Sequence, residues 1–243
     1  MEKEVLGRIH SFETLGAVDG PGIRVVVFVQ GCALRCQFCH NPDSWRIDGG
    51  TVASAREIFD KIKDYGPFIQ NGGVTISGGE PLLQPKFVAE ILKLCKQAGF
   101  HTAVDTAGSV ELSAAMPVLE YSDMLLLDIK DLQPQDSIQL CGISPERSIA
   151  ILNYCESVNK RVWIRHVLVP GHTLKTEKLN ALAVFLKSYS CVEKIELLPF
   201  HKMGEYKWRD LNYAYSLTDV EEPSQKEVEK SIRIFKLHGL QVH

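Results

Sequence analysis

The chain lacks what a membrane protein, a nucleic-acid binder or a secreted disulfide scaffold would need. Nowhere in its 243 residues does an apolar run approach a membrane span, which takes roughly 18 residues. The opening, Met1-Glu2-Lys3-Glu4-Val5, carries no apolar signal region, so a cytoplasmic location is expected. Charge of one sign is not in excess. Lys and Arg number 27 against 30 Asp and Glu, a net charge of −3, which gives no electrostatic reason to expect nucleic acid. Repeats and low-complexity stretches are absent. The seven cysteines do not form the spaced pairs of a secreted framework. Four of them, Cys95, Cys141, Cys155 and Cys191, are scattered and read as small buried hydrophobes in a reducing compartment.

What is present suits a soluble α/β protein. Apolar residues make up 45% and charged residues 23%, enough for a sizeable core within one domain spanning residues 1–243. Short β-branched runs predict strands at 24–30, 74–77, 101–105, 124–128, 161–169 and 192–199. Amphipathic patterns predict helices at 54–65, 85–98, 113–120, 144–159, 176–188 and 224–238. Ser54 stands three residues before Glu57, the spacing of a capping box, and Gly99 ends the second helix. Six strands, each followed by a helix, imply a parallel sheet with right-handed crossovers. Continuously apolar strands such as VVVFV fit burial on both faces. Six units are too few for a closed eight-stranded barrel, so a partial, TIM-like (β/α)6 barrel is expected. Ligands in such folds bind beyond the C-terminal strand ends.

The most informative residues are Cys32, Cys36 and Cys39, spaced C-x3-C-x2-C, with Phe38 just before the last. Three thiolates over eight residues can hold three irons of a [4Fe–4S] cluster. Such clusters usually have four cysteine ligands, so a missing fourth leaves one iron open to a substrate. Zinc is the rival, but structural zinc sites use two separated ligand pairs. His40 directly follows Cys39, and the next cysteine is Cys95. Chemically capable residues also recur at the predicted strand ends, Gly78-Gly79-Glu80, Asp105-Thr106, Asp128-Ile129-Lys130 and His201, with Arg165 within the fifth strand.

These blocks resemble the radical S-adenosylmethionine (SAM) enzymes. More narrowly they resemble the pyruvate formate-lyase-activating family. The resemblance begins at Gly7-Arg8-Ile9-His10-Ser11-Phe12-Glu13 and Val18-Asp19-Gly20-Pro21-Gly22. It continues through the cysteine loop, Ser77-Gly78-Gly79-Glu80, Asp128-Ile129-Lys130, Val162-Trp163-Ile164-Arg165 and the 192–199 segment, and ends at Lys207-Trp208. Other glycyl-radical activases insert extra cysteine clusters after the first motif. Here residues 40–76, 37 in number, contain none, which favours the short type acting on pyruvate formate-lyase.

The resemblance implies a radical SAM fold and an oxidoreductase using a [4Fe–4S] cluster and SAM. It also implies a glycyl radical made on the partner, a flavodoxin or ferredoxin donor, and a monomer. Phe38 would lie near the adenine. Gly78 and Gly79 would allow close approach of SAM, and Glu80 would accept from its amino group. Lys130, beside Asp128, would pair with the SAM carboxylate, and Arg165 and His201 would line the cavity. His40 and Asn41 would bond to cofactor or cluster sulfur, or else stabilise the turn. Asp105, Thr106, Asp128 and the Leu126 carbonyl map onto a monovalent-cation site (Na+ or K+), with an ordinary carboxylate–hydroxyl network as the rival. Asp19 would contact the partner's glycyl loop, although Asp-Gly-Pro-Gly unaided reads as a tight turn. Lys207, Trp208 and the tyrosines through Tyr215 suit either a partner-facing surface or a packed cover. Ala107 stands where the family often has asparagine. Activation of another glycyl-radical enzyme, small-molecule radical SAM chemistry, and a non-enzymatic metal-binding module are the alternatives.

Overall fold

The computed structural model describes residues 4–243, in two compact units. The first comprises residues up to 33 together with 44–126. It holds strands β1 (Leu6–Gly16), β2 (Arg24–Val29), β3 (Thr51–Ser54), β4 (Gly73–Gly78) and β5 (Thr102–Thr106). Its helices are α1 (Ala55–Asp64), α2 (Pro85–Gln97) and α3 (Leu112–Tyr121). β2, β4 and β5 run parallel, while β1 lies antiparallel to both β2 and β3.

Strand β6 (Met124–Asp128) passes from the first unit to the second, which comprises 34–43 and 127–243. The second unit contains α4 (Pro134–Cys141), α5 (Glu146–Ser157), β7 (Arg161–Leu168) and α6 (Thr176–Leu186). Then come β8 (Val192–Pro199), α7 (Glu205–Asp210) and α8 (Gln225–Leu237). β7 and β8 are parallel, and α6 packs on α8. The strand order is β3-β1-β2-β4-β5-β6-β7-β8.

The continuously apolar strands are buried along their length. Val25, Val26 and Val27 of β2 and Met124–Leu127 of β6 are fully enclosed, as strands covered on both faces must be. Helix α2 inserts Phe87, Val88, Ile91, Leu92 and Cys95 into the core of the first unit. Each large apolar side chain so buried contributes about 1.5–3 kcal/mol. The expected capping box of α1 is formed. The Glu57 amide donates to Ser54 Oγ at 3.2 Å, and Ser54 N–H donates to Glu57 Oε2 at 2.7 Å. Gly99 follows α2 with φ +83°, the left-handed turn that glycine adopts without a Cβ penalty.

All six expected strands and six expected helices are present. The pattern did not reveal β1, β3, α4 or α7. The large apolar residues of β1, Leu6, Ile9, Phe12 and Leu15, fall at every third position rather than alternating, and nearly all of its side chains are partly or fully exposed. β3 has four residues, α7 six and α4 eight, too short for periodicity to separate them from loops.

Candidate functional site

The cysteine loop is held at both ends and along its middle. At its root, Gly31 N–H donates to the Ser44 carbonyl at 2.7 Å, and Cys32 N–H to that of Trp45 at 3.2 Å. In the second unit the loop caps α4. Arg35 N–H donates to Cys141 O at 2.9 Å, Gln37 N–H to Leu140 O at 2.9 Å, and Gln37 Nε2 to Gln139 O at 2.8 Å. The last carbonyls of a helix have no partner within it, so the loop supplies donors that α4 lacks. Gly142, with φ +78°, closes the helix end.

The C-terminal segment grips the other end of the loop. Trp208, buried on α7, donates its indole N–H to the Cys39 carbonyl at 2.8 Å. Lys207 Nζ reaches Asn41 Oδ1 at 2.9 Å and Asp43 at 3.0 Å. His40 stacks on His201, ring centroids 4.1 Å apart, and its Nε2 lies 3.0 Å from the His201 carbonyl. Trp208 and Lys207 therefore act as a packed cover on the loop, while Tyr206 and Tyr213 beside them remain exposed. Trp208→Phe keeps an aromatic ring but removes the indole donor to the Cys39 carbonyl, a cost of about 1–2 kcal/mol. The expected result is faster iron loss to a chelator from the loaded protein, measured as absorbance decay, with a melting temperature lowered by about 2–4 °C for each kcal/mol lost.

None of the seven cysteines is in a disulfide; Cys36 is buried, and Cys32 and Cys39 half-buried. A hydrogen bond from the Cys141 thiol lowers the Cys36 pKa against the opposing cost of burial, and Cys141 itself is raised. Cys36 is thus the readier thiolate, the form that binds iron. Sequence reading placed Cys141 correctly as buried, but gave no signal of this long-range contact. Among the described residues no three His, Cys, Asp or Glu side chains are already gathered for a metal ion. The fit to an iron–sulfur cluster rests on the donor set, three thiols outside any disulfide on an anchored loop. His201 Nδ1, buried without a hydrogen-bond partner, adds a polar atom suited to a cofactor.

In the first unit, the Gly78-Gly79-Glu80 turn leaves the end of β4 and lies against the root of the loop. Gly79 N–H donates to Val29 O at 2.9 Å and Glu80 N–H to Gly31 O at 2.8 Å. A Cβ on Gly79 would stand 2.3 Å from the Gly31 carbonyl oxygen, so glycine is needed for this backbone contact. Glu80 is fully buried. Its carboxylate accepts from Thr106 Oγ1 at 2.5 Å, Leu82 N–H at 3.1 Å and Ala107 N–H at 3.2 Å. Burial raises its pKa, and these bonds only partly offset that. Asp105 accepts from Ser77 Oγ at 2.7 Å. Ser77, Glu80, Asp105 and Thr106 thus tie the ends of β4 and β5 together.

In the second unit, Lys130 Nζ lies 2.7 Å from Asp128 Oδ2 and 5.2 Å from the centroid of the buried Phe38 ring. Burial opposes the ammonium charge, but Asp128 and the Cys36 sulfur outweigh it and hold the pKa above the usual lysine value. Arg165 Nε donates to Glu196 Oε2 across β7 and β8 at 3.0 Å. The partner that a buried strand arginine requires is therefore already present in the chain, and Glu196 had not been singled out from sequence. Leu126 is fully buried. Asp19, half-buried, sits in a turn anchored from below. Its carbonyl accepts from Thr75 Oγ1 at 2.6 Å, and Thr75 accepts from the buried Arg24 at 2.6 Å.

The chain matches the radical SAM superfamily over residues 26–183. It is 45% identical to a pyruvate formate-lyase-activating enzyme of Clostridium pasteurianum, over 94% of this chain and 98% of that one. To the pyruvate formate-lyase 1-activating enzyme of Escherichia coli K12 it is 39% identical, over 98% of each. A solved domain of a pyruvate formate-lyase-activating enzyme from Bacteroides vulgatus superposes with a TM-score of 0.60 at 29% identity. That match covers 71% of this chain and 98% of the domain.

Proposed function

Since the chain belongs to the pyruvate formate-lyase-activating enzymes of the radical SAM superfamily, we propose that it installs a glycyl radical on a pyruvate formate-lyase. When bound, a [4Fe–4S] cluster with SAM would supply one electron to cleave SAM into methionine and a 5′-deoxyadenosyl radical, which takes a Cα hydrogen from one glycine of the partner and leaves as 5′-deoxyadenosine. Cys32, Cys36 and Cys39 would hold three irons, leaving the fourth to SAM. The observation that carries this reading is the near-full-length identity with activating enzymes, 39–45%.

The chain's own residues orient and shield; the hard chemistry belongs to the cofactor. Lys130, charged at neutral pH, is the residue for the SAM carboxylate, with Asp128 fixing its position. Phe38 offers an apolar face for the adenine. Gly78, Gly79 and Glu80 shape the binding turn, and Arg165, His201, His40 and Asn41 complete the polar lining. Asp19 meets the partner's glycyl loop. A Na+ or K+ ion is assigned to Asp105, Thr106, Asp128 and the Leu126 carbonyl. A flavodoxin or ferredoxin donor, a monomeric state and a cytoplasmic location complete the reading.

The test is anaerobic: reconstitute with iron and sulfide, reduce, add SAM and a pyruvate formate-lyase, and record the EPR spectrum. A glycyl doublet accompanied by 5′-deoxyadenosine is expected. Deoxyadenosine without the doublet would move the assignment to another glycyl-radical partner. Neither product, from protein holding a reduced cluster, would overturn it.

A further inference from the structure

The segment from Asp128 to Lys130 carries the ion pair assigned to SAM, yet its central residue is held entirely from β7. Ile129 N–H donates to the Arg165 carbonyl at 3.0 Å. The Ile129 carbonyl lies 2.7 Å from His166 Nδ1. A carbonyl can only accept, so Nδ1 carries the proton and Nε2 is left as an acceptor. His166 is 4% exposed, and Nε2 is buried with no hydrogen-bond partner. Burial also lowers the His166 pKa, against the Ile129 carbonyl's opposing pull, consistent with a neutral ring.

Nε2 belongs to a residue lining a small recess, about 20 Å³ in volume. Asp131 and Gln133 line it from the turn after β6, and Lys178 from α6. That volume fits one water, which needs two or more polar partners. Asp131 is itself fixed, accepting from Lys178 Nζ at 2.5 Å and Gln133 N–H at 2.9 Å. The stretch from residue 129 to 131 is therefore pinned on its amide, its carbonyl and its acidic side chain.

We propose that His166 is a positioning residue for the Asp128–Lys130 pair, gripping the Ile129 carbonyl through Nδ1–H while one water in the recess donates to Nε2. The gripped carbonyl belongs to the peptide joining Ile129 to Lys130, so freeing it lets that peptide rotate and the Lys130 ammonium drift from Asp128. The inference rests on the reading that Lys130 binds SAM, and the experiment separates the two.

SAM affinity is measured on cluster-loaded protein, alongside iron content, melting temperature and the SAM-induced change in the EPR spectrum of the reduced cluster. His166→Leu and His166→Gln both lose the Nδ1 donor, since the glutamine amide reaches the Nε2 position instead. His166→Asn places its amide nitrogen near Nδ1. The first two are expected to weaken SAM binding about tenfold, or ~1.4 kcal/mol, with iron content unchanged and a diminished EPR response. Asn is expected to restore binding to within about threefold, keeping one hydrogen bond of ordinary strength. Wild-type SAM affinity in folded Leu or Gln variants would overturn the proposal. So would equal loss of affinity in Asn and Gln, which would show a packing role only. If Leu does not fold, Gln against Asn decides. Lys130→Ala is the control on the premise: unchanged SAM binding there would sink the reading of Lys130 rather than the hydrogen bond of His166.

Discussion

Replacing Cys36 with alanine is expected to abolish cluster assembly and SAM cleavage while leaving the chain folded. The side chain removed is small, and the loop keeps its other anchors. Arg35 and Gln37 still donate to the end of α4, and Trp208 still holds the Cys39 carbonyl. What goes is the most buried thiol of the three, the one favoured as a thiolate by Cys141. With two sulfurs left on the loop, brown absorbance and bound iron should vanish, and deoxyadenosine formation should fall by at least about a thousandfold, as when one member of an interdependent catalytic set is lost. Cys95→Ala is the informative contrast. Cys95 is fully buried on α2, and burial alone pushes its pKa up to about 12. It should therefore cost about 1–2 kcal/mol of stability through the cavity left behind, with cluster and activity intact. A Cys36→Ala variant that still binds a full complement of iron would refute the ligand assignment.

Glu80 is expected to show the second large effect. Glu80→Leu leaves the Thr106 hydroxyl and the amides of Leu82 and Ala107 without their acceptor in a fully buried place. Unsatisfied buried donors cost about 1–3 kcal/mol each, so a loss of about 3 kcal/mol or more is expected by urea unfolding. Glu80→Gln keeps one acceptor oxygen and the shape, and should cost about 1 kcal/mol. The pH dependence gives a sign that can be checked. The folded pKa of Glu80 lies above its ordinary value because burial disfavours the charge. Its contribution is therefore fully present below the unfolded pKa, near 4.5, and is lost as pH rises through the higher folded value. Between the wild-type and Gln proteins, the difference in unfolding midpoint should change across that window and level off above it. A flat difference would mean that Glu80 titrates normally. The turn also backs onto Gly31, next to Cys32, so reduced iron content in the Leu variant should accompany the stability loss.

Much of the fold was legible because it is written in local patterns. Continuous apolar runs marked β2 and β6, and Ser54 with Glu57 marked the start of α1. The antiparallel strand β1 and the edge strand β3 were not legible as strands, since neither presents a continuous or cleanly alternating apolar face. Within the site, the cysteine spacing named the chemistry. Other assignments changed meaning once partners were visible. Gly78 and Gly79 read as glycines for close cofactor approach, yet a Cβ on either would first strike the backbone of Val29 or Gly31. Arg165 read as needing a cofactor carboxylate, yet Glu196 stands beside it.

By itself the sequence determined the class of chemistry, the family and the alternation of strands and helices. Three thiols within eight residues, a turn of two glycines and a glutamate, and buried apolar runs are short-range facts that the linear order preserves. Only the tertiary structure decided what holds the loop and what each charge faces. Cys141 beside Cys36, Trp208 on Cys39, Thr106 on Glu80 and His166 on Ile129 join residues far apart in the chain. Such contacts depend on how strands register and helices dock, and hydrogen bonds made across that distance leave no periodic trace in the sequence.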